Sequence, residues 1–409
     1  MRYKHKLLAS FLTLTGIFTG TFILLYHPLQ FQSKSTIIKK ASDRRQMALR
    51  AKSSCQGAAE RTETPRFVEV EKGTLLYSAW FDDRQEQTYI RILLMTWRRN
   101  NPPPVFCRFH SELNSKSSAR IASTYYEMNK EHPLRYGLFV VSCVVKDELT
   151  ILSPSFVEIS IELSPKLPDN IVLPVGNTCI KRERGSFDDA GRRDYGICIP
   201  PLFGDISVIS LIEFLEISQV FGASHFTFYD FETSENVRKV IKYYADKGLA
   251  QLLPWKLPPY ISQQEVHYHG QIFAMQECLF RRMNELKFVA FNDLDEFIVP
   301  LQYENMISLL RSIHRDEHCG HCFKSAQFLR SRSEVETPWP MTQNVFNRLR
   351  KEDETHPKCV VDPQSVFEQG VHLIMNPLED FFNVDNVEWG VGRIFHYRKG
   401  LELDRKSVV

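Results

Sequence analysis

Phe288-Val289-Ala290-Phe291-Asn292-Asp293-Leu294-Asp295-Glu296-Phe297 is an apolar run that closes on two aspartates one residue apart. An apolar run of this length, leading on into Ile298-Val299-Pro300, reads as a buried strand. If strand geometry persists, Asp293 and Asp295 project to the same side. Both carboxylates can then approach one hard cation, Mn²⁺ or Mg²⁺, which brings phosphate oxygens with it. A bare D-x-D also arises by chance, and the competing reading is a strand end whose acids face water or cap a turn.

The preceding sequence favours the first reading. Tyr195–Ile199, His225–Phe231 and Ala250–Leu253 read as strands. Between them, Asp205 is placed to cap a helix that runs to Phe221 and closes at Gly222, and Thr233 or Ser234 caps a second that stops at Lys247-Gly248. A longer helix covers about Gly270–Asn284, with Ile272, Met275, Leu279 and Met283 at helical spacing. This βαβα order predicts an α/β domain of Rossmann type, with a mainly parallel sheet and helices on both faces. Ligands bind beyond the carboxyl ends of such strands, where Asp230 and Asp293 both fall.

The rest of the 409-residue chain divides by composition. Residues 1–6 form a basic tail, and Leu7–Tyr26 carry no charge. Twenty helical residues cover about 30 Å, enough to cross a bilayer. His27-Pro28-Leu29-Gln30-Phe31 supply no small-residue cleavage site, so the segment reads as an uncleaved type II signal anchor. Residues 27–66 read as a basic, solvated stem. Residues 67–180 show short apolar runs with proline-rich breaks, a small β-rich domain. Lys166–Pro174 and Lys181–Asp194 read as linker, leaving 195–409 as the catalytic domain. Nine cysteines suit an oxidising lumen. A net charge of +2 with 24% charged residues excludes a general nucleic-acid binder.

Four segments together resemble glycosyltransferase family 92: Tyr77-Ser78-Ala79-Trp80-Phe81-Asp82-Asp83-Arg84, Asp293 to Phe297, Lys358 through Pro363 to Val371-His372, and His396-Tyr397-Arg398. They occur in the family's order, and the resemblance runs from about residue 74 to the end. It implies a GT-A-like nucleotide-sugar domain in a type II Golgi membrane protein. The implied reaction is inverting transfer of galactose from UDP-galactose to a glycoprotein N-glycan, on galactose or fucose, forming a β1,4 linkage. By the same resemblance Asp293 and Asp295 are the metal–diphosphate pair, His372 is a third metal ligand, and Asp230 lies near uridine or ribose. One departure is Ala274-Met275-Gln276-Glu277-Cys278, where the family pattern is Asn-Asp-Cys. It keeps open a second reading, a glycan-binding or scaffolding protein without turnover.

Inverting transfer needs a carboxylate to take the acceptor proton. Asp380, beside Glu379, is the first candidate, with Glu296 and Asp385 as alternatives; each can also be an ordinary surface acid. His372, between Val371 and Leu373, can equally be a satisfied core residue. His318-Cys319-Gly320-His321-Cys322 looks like half a zinc site, but no second ligand pair stands at a usable spacing, and disulfides explain the cysteines better. Trp255, Tyr260, Trp339 and Trp389 are candidates for stacking on acceptor sugars, against ordinary packing.

Overall fold

The computed structural model describes residues 65–98, 104–110, 119–128, 134–146, 154–161, 171–177, 192–330, 341–344 and 353–399. The expected tail, the anchor at 7–26 and all but the last residues of the stem lie outside these. Among the described residues no helix is long and apolar enough to cross a membrane.

The first nine strands are β1 (Val68–Glu71), β2 (Thr74–Asp82), β3 (Tyr89–Trp97), β4 (Val105–His110), β5 (Ile121–Ala122), β6 (Thr124–Met128), β7 (Tyr136–Val144), β8 (Phe156–Ile161) and β9 (Ile171–Gly176). They form one sheet in the order β5-β4-β8-β9-β2-β3-β7-β6, with β1 against β2. Ile171–Gly176, part of which read as linker, is thus a sheet strand. Its proline hid it: Pro174 pairs with Phe156 at one end of the β8–β9 ladder. Successive side chains of a strand point to opposite faces, and here both faces are covered. Ile90, Ile92 and Leu94 enter a core within this sheet, together with Cys107, Cys143 and Val157. Leu93 and Met95 enter a different core, shared with the rest of the chain. This double burial explains why β2 and β3 read as continuous apolar runs without alternation. The Cys107–Cys143 disulfide ties β4 to β7.

The second sheet contains β10 (Arg193–Leu202), β11 (His225–Asp230), β12 (Ala250–Pro254), β13 (Leu286–Phe291), β14 (Glu296–Pro300), β15 (His318–Arg330), β16 (Asp353–Val361), β19 (Asn383–Asn386) and β20 (Gly392–Lys399); β17 (Val366–Gln369) and β18 (Ile374–Pro377) form a separate ribbon. The order is β12-β11-β10-β13-β16-β15-β20-β14, with β19 beside β15. The strands β12, β11, β10 and β13 are parallel. Beyond them β13 meets β16, β16 meets β15 and β14 meets β20 in antiparallel pairs. The sheet is therefore mixed, not mainly parallel. The βαβα pattern governs only the first half; after residue 313 β16 returns antiparallel to β15, while β19 and β20 lie parallel to β15.

The helices are α1 (Val208–Val220), α2 (Glu235–Asp246), α3 (Gln263–Arg282), α4 (Met306–Ile313) and a short α5 (Met341–Asn344). Ser207, not Asp205, caps α1, its Oγ accepting from Ser210 N at 3.3 Å. Ser234 caps α2. Regular geometry in α3 begins only after Gly270, as the sequence suggests, because Val266–Gly270 leave the helical region and His267, Tyr268 and His269 carry positive φ. The buried face of α3 packs Phe273, Met275 and Leu279 with Tyr77, Trp80 and Leu138 of the first sheet, so one core joins the two sheets. Cys198–Cys278 ties β10 to α3, and Cys322–Cys359 ties β15 to β16. Cys319 is a buried thiol that burial pushes up to about 11, too high for a reactive thiolate.

His225 opens β11 as a buried neutral ring. Arg193 Nη1 donates to its Nδ1 at 2.8 Å, and its Nε2 is buried without a hydrogen-bond partner. Burial, with Arg282 and Arg193 nearby, lowers it to about 3. Between that value and the unfolded one near 6.5 the unfolded chain binds the extra proton, so stability falls as pH falls through this window. From about pH 7 to about pH 5 the loss from His225 is about 2 kcal/mol. Urea unfolding at the two pH values should show it, and His225→Gln should reduce the difference. An unchanged difference would mean that the ring is not held neutral.

Candidate active site

The strand order reverses direction between β10 and β13, the position at which open α/β sheets form a ligand crevice. Asp293 lies just past the carboxyl end of β13. Asn292 N donates to Cys198 O at 3.3 Å, which holds this exit against β10. Asp293 N donates to Glu296 Oε2, Glu296 N to Asp293 O, and Asn292 Nδ2 to Glu296 O, so residues 292–296 form a tight, locally bonded turn. Strand geometry therefore does not persist through Asp293-Leu294-Asp295. Both carboxylates nonetheless remain partly open, at 44% and 38% side-chain exposure.

The strands that follow complete the cluster. Glu296 stands opposite His396 in the β14–β20 pair, and Tyr397 N donates to Asp295 O at 2.8 Å. Lys358, near the middle of β16, places its Nζ 3.1 Å from Asp293 Oδ2 and 3.1 Å from Glu296 Oε2, with its side chain 1% exposed. His396 lies 3.8 Å from Asp295 Oδ1 and 3.4 Å from Glu296 Oε1. Three of the four resembling segments thus meet at one place. Burial would raise Asp293, but the Lys358 ammonium and its hydrogen bond, with His396 and His372 beyond it, bring the carboxyl below its usual range. Glu296 goes the other way, raised by burial and by the neighbouring aspartates against the pull of Lys358. Burial, with Arg398 nearby, lowers His396 to about 4, so its ring is neutral.

His372 follows β17 and is close enough for its charge to bear on Asp293. Its Nδ1 lies 3.2 Å from Pro357 O. A carbonyl only accepts, so Nδ1 carries the proton and Nε2 keeps its lone pair. Two partly exposed carboxylates and such an imidazole are a suitable donor set for Mn²⁺. The three ligating groups are not gathered within 4.8 Å of one another. The set fits the ion as a partial shell, the kind that diphosphate oxygens and water complete.

The other expected site residues fall elsewhere. Asp230 ends β11 at the same sheet edge, two strands from β13, about 10 Å across. Its Oδ1 accepts from Thr233 N at 3.0 Å and Thr233 Oγ1 at 2.7 Å, and Arg238 lies 3.8 Å from Oδ2. Asp380 is not at the cluster. It lies exposed in the turn before β19, whose Asn383 stands opposite His318, whereas Lys358 stands opposite Phe323. Five residues of β15 separate those positions, about 17 Å of strand. Trp255 is fully buried, Tyr260 bonds Glu69, and the Arg393 guanidinium lies over Trp389. Trp339 lies outside the described residues.

Lys358 and the Glu296–His396 pairing are what reading along the chain misses. The one available signal is a lone lysine at the head of the apolar run Cys359-Val360-Val361. The Tyr77–Arg84 segment is an interface staple: Tyr77 O–H donates to Pro254 O at 3.0 Å, and Arg84 Nη1 to Pro363 O and Val366 O at 2.8 and 2.6 Å. Gln276 and Glu277 are fully buried; Gln276 bonds Phe367 O, and Glu277 holds Tyr229 and Arg281. The departure in that helix is therefore a matter of packing.

The sequence profile of glycosyltransferase family 92 matches residues 193–407. The chain belongs to glycosyltransferase family 92. Its reaction class is accordingly glycosyl transfer. A β-1,4-galactosyltransferase of Caenorhabditis elegans, galt-1, is 25% identical over 340 residues, 81% of this chain and 76% of that one. The galactan β-1,4-galactosyltransferase GALS3 of Arabidopsis thaliana is 27% identical over 198 residues, 45% of this chain and 37% of that one. Among solved structures, S. aureus TarS 1–349 aligns over 50% of this chain and 60% of that one at 8% identity and a TM-score of 0.29, a likeness too slight to argue from.

Proposed function

We propose that this family 92 protein is a metal-dependent inverting glycosyltransferase that moves galactose from UDP-galactose to a hydroxyl of a glycan acceptor, forming a β1,4 linkage. The observation that carries the reading is the meeting of Asp293, Asp295, Glu296, Lys358 and His396 at the switch point of the sheet, with His372 near enough for its charge to bear on Asp293. The galactosyltransferase names of two relatives support the donor and the linkage.

Asp293, Asp295 and His372 would hold Mn²⁺ or Mg²⁺, which when bound neutralises the charge developing on UDP as it departs. Lys358 keeps Asp293 ionised and in place, and adds a fixed positive charge beside the diphosphate. Glu296 is a positioning residue, buried between Lys358 and His396. Asp230, at the same sheet edge two strands away, is suited to the ribose side of the nucleotide. The anchor, the lumenal placement in the Golgi and the N-glycan acceptor complete the proposal, supported by the Leu7–Tyr26 run and the abundance of cysteine.

Donor hydrolysis by the purified chain tests this. UDP release is expected with UDP-galactose and Mn²⁺, slower with UDP-glucose and UDP-N-acetylglucosamine, and absent after chelation. UDP with Mn²⁺ at a hundred times the dissociation constant should stabilise the fold by about 2.7 kcal/mol. Neither release nor stabilisation with any UDP-sugar would sink the proposal.

A further inference from the structure

A second cluster of ligating side chains lies away from the Asp293 turn. We propose that His318, His321 and Asp385 form a binding site for one divalent transition-metal ion of the zinc class. Their ligating atoms all lie within 4.8 Å of one another, and His321 is completely buried.

A break in strand register builds the cluster. Residues 318 and 321 are three apart and would normally face opposite sides of a strand. Between β15 and β19 the register slips by one residue after His318, so that His318 stands opposite Asn383 and His321 opposite Asp385. Asn383 and Asp385 are two apart, and the bulge brings both histidines to one side. Cys319 and Cys322 turn to the other side, into the core shared by the two sheets. The sequence motif with two His and two Cys is thus split by the strand: cysteines inward, histidines toward Asp385 and the end of α4.

The hydrogen bonds match a metal shell. His321 Nδ1 lies 2.8 Å from Asp385 Oδ2, and His321 Nε2 lies 3.1 Å from His314 Nδ1. Two ligands of one tetrahedral zinc ion sit about 3.3 Å apart, so Nδ1 and the carboxylate need little movement to share it. His321 Nε2–H then donates to His314, the outer partner that metal-bound imidazoles usually have. His314 Nδ1, 3.1 Å away, is placed to accept that bond. A plain Asp385–His321–His314 relay would explain those bonds without an ion. It does not explain His318, whose Nδ1 is buried with no hydrogen-bond partner. A buried ring nitrogen without a partner is costly, and a third ligand bond removes that cost.

Two imidazoles and one carboxylate suit zinc better than calcium or magnesium. Three protein ligands leave a position for water, and Asp385, at 31% exposure, gives the ion a way in. The site is distinct from the Asp293 cluster. His321 stands opposite Val360, which pairs with Ala290, and β15 runs from there back toward His318 and the amino-terminal end of β13. Asp293 lies past the opposite end. An ion here would clamp β19 and the end of α4 to β15.

The test uses the whole purified chain, stripped of metal and then titrated with Zn²⁺ and with Co²⁺. One tightly held equivalent is expected, retained in Asp293→Asn/Asp295→Asn and weakened at least tenfold in His318→Ala and in Asp385→Asn. His314→Ala should weaken it about tenfold. X-ray absorption of the zinc-loaded wild-type chain should show imidazole and oxygen ligands at about 2.0–2.2 Å and no sulfur. The wild-type measurement stands even if a variant fails to fold. No retained ion, a sulfur shell, or an ion lost only with Asp293 and Asp295 would overturn the proposal.

Discussion

Asp295→Asn should lower turnover of UDP-galactose about a thousandfold, the range expected when one preorganised charge at a reacting centre is removed. The carboxylate is 38% exposed and stands at the surface of the turn, so the substitution leaves the core untouched. Its backbone carbonyl, which accepts from Tyr397 N, is unaffected. The loss should therefore appear in rate, with circular dichroism and the unfolding midpoint near wild type. Asp293→Asn is the harsher change, because Asp293 also neutralises Lys358. A rate within tenfold of wild type in Asp295→Asn would refute its metal–diphosphate role.

Lys358→Met should destabilise the fold by about 1–3 kcal/mol, the cost of leaving the buried Glu296 carboxyl, already raised and so able to take a proton, without its partner. Lys358 is 1% and Glu296 3% exposed in their side chains, so neither group can turn to water. Removing the lysine also removes the pull that lowers Asp293. Chemical denaturation gives the number, and the double variant Lys358→Met/Glu296→Gln should recover most of it. Turnover should stay low in the double variant, since the fixed charge beside the proposed metal ligands is gone. A single-variant cost below about 1 kcal/mol would mean that Lys358 is solvated in solution, as exposed pairs are.

The parallel half of the second sheet was legible because its signals are local: apolar runs of four to seven residues, a cap at Thr233 or Ser234, glycine stops at Gly222 and Gly248. The mixed half was not, because strand partners such as Lys358 opposite Phe323 are chosen by tertiary packing. The same limit misplaced Asp380. As one of two adjacent acids, Glu379-Asp380, it is a candidate base by sequence, but a turn at the far end of β15 carries it away from the Asp293 turn. The paired histidines at 318 and 321 were visible as a motif, yet the bulge that turns them to one side is a property of two strands together.

From its residues alone this chain determined the strand that leads to Asp293, the alternation that precedes it, and the family whose motifs it carries. All three are encoded in side-chain period, caps and short motifs, which act within one turn or one strand. Only the tertiary structure decided that Lys358 neutralises Asp293 and Glu296, that Tyr77–Arg84 fastens the two sheets, and that Asp385 joins the histidines of β15. Those contacts join residues up to 282 positions apart, and burial makes each polar group find whichever partner the packed sheets bring near.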